Sequence, residues 1–74
     1  MLAEEAPIDW IRRLSPMEKA LLERLASGST ISAAATAEFL SLRTANRRIA
    51  ELRRRAGVTT TRELVGIYRS SRER

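Results

Sequence analysis

Apolar residues recur along this chain at spacings of three and four and never in sustained alternation, so the pattern predicts helices and no strands. Met17, Leu21 and Leu25 repeat every four residues with Leu22 beside them, a one-sided stripe that belongs to an amphipathic helix. Its start is marked by Ser15 as cap, Pro16 in the first helical position and Glu18 three residues after the cap. Gly28 ends it, as a left-handed closing residue does. Residues 31–38 are rich in alanine and follow Thr30, a capping residue, which predicts a short helix able to lie close to its neighbour. Phe39-Leu40 makes a brief apolar turn, and Ser41 is the next cap.

From Leu42 the helical pattern resumes. Ala45, Ile49, Leu52 and Ala56 share one inward face, while Arg43, Arg47, Ala50 and Arg54 form a second stripe pointing away from it. Gly57 stops this helix. Thr60 with Glu63 makes a second capping box, opening a last helix through Leu64, Val65, Ile67 and Tyr68. From Ser70 onward the chain is polar and basic, and fraying is expected. The reading is an all-α domain of four helices over residues 14–74, with no repeat and no low-complexity tract. Residues 1–13 read as a lead-in or linker. Pro7 breaks any earlier helix, and Asp9 can cap a short turn through Trp10, Ile11 and Leu14. The single Trp suggests either a flap packed on the domain or a contact to a neighbouring domain.

Composition narrows the chemistry. The 74 residues hold neither His nor Cys, which removes disulfides, thiolate metal sites and the commonest general base. An enzyme is therefore not expected, and neither is a cofactor or a metal. The start of the chain lacks the charge and apolar run of a signal peptide, and no stretch approaches a membrane span, so a cytoplasmic protein with no membrane partner is expected.

Charge adds a direction. The formal net charge is +5, from 14 basic and 9 acidic residues, and every basic residue except Lys19 is arginine. Residues 1–28 carry a net −1 and residues 29–74 a net +6. Arg47, Arg48, Arg53, Arg54 and Arg55 fall within nine positions, the footprint of a nucleic-acid binder. Two short helices, a tight turn of about three to four residues and then a longer basic helix is the arrangement of a helix-turn-helix DNA-binding domain. A helix about 10–12 Å across fits a major groove about 12 Å wide.

The same segments resemble a known family. Leu14-Ser15-Pro16-Met17-Glu18-Lys19 is similar to the opening of the LuxR/GerE-type helix-turn-helix, commonly Leu-Thr-Pro-Arg-Glu-Arg. Phe39-Leu40-Ser41-Leu42-Arg43-Thr44-Ala45 resembles that family's Phe-Leu-Ser-Pro-Arg-Thr-Val. Gly28, Ala56-Gly57-Val58 and Thr61-Arg62-Glu63-Leu64-Val65 match its helix ends and the start of its last helix. The resemblance spans residues 14–68 without a gap; no single motif is specific, and five in register carry it.

The resemblance implies a bacterial, nucleoid-associated transcriptional regulator, binding double-stranded DNA as a homodimer. Residues 30–38 become the scaffold helix, 43–55 the recognition helix and 61–69 the dimerisation helix. Asn46, Arg47 and Ala50 take the base-facing slots. Arg43, Thr44, Arg48 and Arg54 take the slots that touch phosphates. Leu64, Val65 and Tyr68 take the dimer face, or else complete the monomer's core. Arg47 can bond guanine O6 and N7 together, and Asn46 can read adenine in the same bidentate way. Three residues depart from the pattern. Glu38 stands in a usual leucine slot, which requires a rotated helix or an arginine partner. Ala34 replaces an isoleucine and thins the core, and Ala50 is short, limiting it to a thymine methyl. Two alternatives stay open: a promoter module like sigma-factor region four, associated with RNA polymerase, and a protein–protein adaptor that has lost DNA binding.

Overall fold

The computed structural model describes residues 9–72. Within that range the chain forms five helices and no strand: α1 (Asp9–Arg12), α2 (Pro16–Ala26), α3 (Ile31–Ala37), α4 (Leu42–Ala56) and α5 (Thr61–Arg72). The all-α architecture and the four helices over residues 14–74 are as expected, and α1 precedes them within the lead-in. The turn at Asp9 closes as a helix of its own, because the Arg13 and Leu14 N–H groups donate to Trp10 and Ile11. The break expected at Pro7 lies outside the described residues.

Each longer helix starts where a side chain takes an orphan backbone N–H. Ser15 Oγ accepts from Glu18 N–H at 3.2 Å while Glu18 Oε1 accepts from Ser15 N–H at 2.9 Å. Thr30 caps α3 and Ser41 caps α4, each at 3.0 Å. Thr60 caps α5, and Glu63 reaches back to the Thr59 and Thr60 N–H groups. Those two bonds hold the Glu63 carboxyl below its ordinary value.

The helix ends also follow local chemistry. Ser29 N–H donates to Arg24 O and Gly28 N–H to Leu25 O, closing α2 around Gly28 at φ +102°. The same pair of bonds closes α4 around Gly57 at φ +75°. Helix α3 ends in this way too, with Leu40 N–H on Ala35 O at 2.8 Å, but its left-handed residue is Phe39 at φ +60°. A bulky side chain in that region costs about 1–2 kcal/mol. Nor does burial offset the cost, since Phe39 is 96% exposed.

The core is built mainly from Leu21, Leu22, Ile49, Leu52 and Leu64, all fully buried, with Trp10 and Tyr68 at its margins. Trp10 thus belongs to the same core as the later helices, although its indole N–H has no partner among the described residues. On α2 the buried positions are Glu18, Leu21, Leu22 and Ala26, while Met17 and Leu25 are only half-buried. The stripe expected from spacing is therefore turned toward the Glu18 side. Ala34 and Ala35 are both buried, so the missing side-chain bulk lets α3 lie close along α4, its most extensive partner.

The fraying expected from Ser70 does not occur within the described residues: α5 runs to Arg72. Glu23 on α2 accepts from the Tyr68 hydroxyl and pairs with Arg72, whose guanidinium also sits 5.9 Å over the Tyr68 ring. The Tyr68 bond, and then the Arg72 charge, hold the Glu23 carboxyl below its ordinary value. Burial, and then the Glu23 bond, push the Tyr68 hydroxyl up to about 12.

Two outcomes follow. Replacing Phe39 with glycine relieves the left-handed strain without loss of burial, so Phe39→Gly is expected to raise stability by about 0.5–1 kcal/mol in urea unfolding. The protein's single tyrosine makes the second simple to read. A raised hydroxyl value means this contribution is complete below pH 10, the ordinary tyrosine value, and is lost as pH rises toward 12. Glu23→Gln is expected to bring the spectrophotometric phenolate titration part of the way down toward pH 10 and to reduce that alkaline loss, leaving the part that burial causes.

Candidate nucleic-acid interface

Helix α4 is 15 residues long, about 22 Å at 1.5 Å per residue. Ala45, Ile49, Leu52 and Ala56 are all buried, as the spacing predicts. At 100° per residue their stripe leaves Arg43, Arg47, Ala50 and Arg54 on the opposite side. Arg43, Asn46, Arg47 and Arg54 are exposed, whereas Ala50, Thr44 and Arg48 are half-buried. Five of the seven expected DNA-contacting residues are therefore long polar side chains, four of them exposed, along or beside one face. Among the described residues, no carboxylate pairs with Arg43, Arg47, Arg48 or Arg54.

Thr44 is engaged locally. Its hydroxyl accepts from the Ser41 hydroxyl at 3.0 Å, and its N–H donates to the same Ser41 oxygen. The side chain is thus held in the first turn of α4.

The run Arg53-Arg54-Arg55 divides its work. Arg53 donates to the Thr61 hydroxyl at 2.9 Å, tying the end of α4 to the start of α5. Arg55 lies 3.6 Å from the buried Glu18 carboxylate, which already serves the α2 cap. Successive side chains on a helix diverge by about 100°, so adjacent arginines meet different surroundings. Arg54 alone of the three projects on the outward face without a partner among the described residues.

Glu38, on the turn into α4, has the arginine partner that one of its two expected outcomes required. Arg24 Nε donates to Glu38 Oε2 at 2.7 Å, joining α2 to the α3–α4 turn. The last helix changes the expected dimer face. Leu64 and Tyr68 are buried within the monomer, so of Leu64, Val65 and Tyr68 only the half-buried Val65 retains surface for a partner. On the α1–α5 side lies an open groove of about 840 Å³, with Ile11, Val58 and Ile67 among its walls and no residue of α4.

Glu51 belongs to none of the residue sets expected from sequence. It is exposed and follows Arg47 by one helical turn. Periodicity could have singled it out, because it falls next to the outward stripe of α4. Among the described residues, Phe39 and Leu42 are the large apolar side chains left exposed, both at the α3–α4 turn.

No family model matches this sequence, and no curated protein or solved structure shows significant similarity to it.

The division among the arginines has a measurable consequence. Arg55→Ala leaves the buried Glu18 carboxylate short of its cation and is expected to destabilise the fold by about 1–2 kcal/mol. Arg54→Ala is expected to stay within about 0.5 kcal/mol, as an exposed substitution. Thermal unfolding of the two variants side by side checks this difference.

Proposed function

We propose that this protein is a sequence-specific DNA-binding transcriptional regulator with a LuxR/GerE-type helix-turn-helix. In this reading α3 is the scaffold and α4 the helix that enters the major groove. The observation that carries it is the outward face of α4: exposed Arg43, Arg47 and Arg54, without carboxylate partners among the described residues, opposite a buried apolar stripe. A helix held by one face offers the other as a rigid surface. On it, arginine at Arg47 suits the paired acceptors of guanine, and Asn46 suits adenine. Arg43, Arg48 and Arg54 would meet phosphates and set the register, with Thr44 holding the first turn. Ala50 contributes apolar contact to a thymine methyl.

Pairing of two copies through α5 belongs to the same proposal, with Val65 as its contact among the three expected residues. Glu38, which departs from the family pattern, does not count against this reading, because it is engaged by Arg24 within the protein.

The proposal is tested by fluorescence polarisation on fragments selected from a random DNA library. The logarithm of affinity should fall linearly with the logarithm of salt, by about 0.9 per phosphate neutralised. Arg47→Ala should cost about 1–3 kcal/mol on the selected site and little on random DNA. Equal losses on both would make Arg47 a phosphate contact. Absence of any selected sequence would favour the protein–protein adaptor.

A further inference from the structure

We infer that Glu51 is a further specificity-determining residue of α4 and that it reads cytosine; the inference rests on the DNA-binding function proposed above. Among the described residues, every other carboxylate is occupied. Asp9 pairs with Arg13, Glu18 with Arg55 and the Ser15 N–H, Glu23 with Tyr68 and Arg72, Glu38 with Arg24, and Glu63 with the α5 cap. Glu51 alone makes no hydrogen bond or ion pair there, although Arg47, Arg48, Arg54 and Arg55 all lie three or four positions from it.

The spacing makes that isolation informative. A glutamate four residues before an arginine is the favourable helical order, so Arg55 is the natural partner. Arg55 instead turns to Glu18 on α2. The reverse order, Arg47 before Glu51, is weaker, so the helix itself leaves the carboxylate uncommitted.

Chemistry then limits what the carboxylate can meet. An ionised carboxylate only accepts hydrogen bonds and is repelled by phosphates. In the major groove, guanine and thymine offer acceptors at their polar atoms, so neither can satisfy it. Adenine offers the N6 amino group beside the N7 acceptor, which opposes the second carboxylate oxygen. Cytosine offers the N4 amino group alone. Glu51 lies four residues beyond Arg47, about 6 Å along the axis, so the two residues address base pairs one to two steps apart.

The test is selection from a random double-stranded DNA library with the wild-type protein and with Glu51→Gln. Gln keeps the size of the side chain at an exposed position, and circular dichroism confirms that both proteins fold. The selected wild-type site should hold one cytosine whose replacement lowers affinity about tenfold. With Glu51→Gln that position should relax or shift toward adenine, which Gln can read in bidentate fashion, while the rest of the site is unchanged. An identical site, bound more tightly by the variant on selected and random DNA alike, would place Glu51 against phosphates and overturn the inference alone. Failure of the wild-type protein to enrich any sequence would overturn both the DNA-binding function and the role of Glu51.

Discussion

Helix α4 touches all four other helices and buries Ala45, Ile49, Leu52 and Ala56 in one strip, so the rotation of that one helix about its axis controls the remainder of the fold. Two of its members, Ile49 and Leu52, are among the most completely buried side chains of the core. Burying each removes apolar surface worth about 1.5–3 kcal/mol, far more than any exposed arginine contact returns. Hydrophobic burial therefore sets the orientation, and the arginine stripe is outward as a consequence. The alanines of α3 extend the same logic. Ala34 and Ala35 offer little apolar area of their own, but their size lets two backbones approach and close the gap over α4.

Charge is partitioned by that orientation. Arg24, Arg53, Arg55 and Arg72 are drawn into contacts between helices, with Glu38, Thr61, Glu18 and Glu23 respectively. The arginines left on the outward face of α4 have no such duty. A net charge alone would not distinguish these populations; the distinction is whether the side chain leaves the helix toward another element or toward solvent. Phe39 marks the place where local preference yields to this arrangement. Its left-handed backbone closes α3 so that α4 can start after a short turn, and the phenyl ring is left in solvent.

Much of the fold was legible in the sequence because its determinants are local. The cap residues Ser15, Thr30, Ser41 and Thr60 act on N–H groups three positions away, and Gly28 and Gly57 act on carbonyls within one turn. The inward stripe of α4 was equally readable, since Ala45, Ile49, Leu52 and Ala56 recur at i, i+4, i+7 and i+11 and so share a face. On α2 spacing alone is ambiguous: Leu25 and Glu18 both flank Leu21 and Leu22, and the four-residue repeat points to the leucine. The acidic residue is the one buried, because its cap bond and Arg55 together satisfy the carboxylate.

What the sequence determined by itself was therefore the longer helices, their capping residues and glycine stops, and the face that α4 presents, since each depends on residues within one or two turns. Only the tertiary structure decided which charged groups are spent within the fold. Glu38 lies 14 positions from Arg24 and Glu23 lies 45 from Tyr68, so no periodicity links them. The same holds for Leu64 and Tyr68, whose burial against the other helices takes them from an expected dimer face, and for Glu51, left uncommitted because Arg55 is drawn to α2. An ion pair or a buried contact depends on which surfaces pack together, and in this protein the packing of four helices around α4 makes that choice.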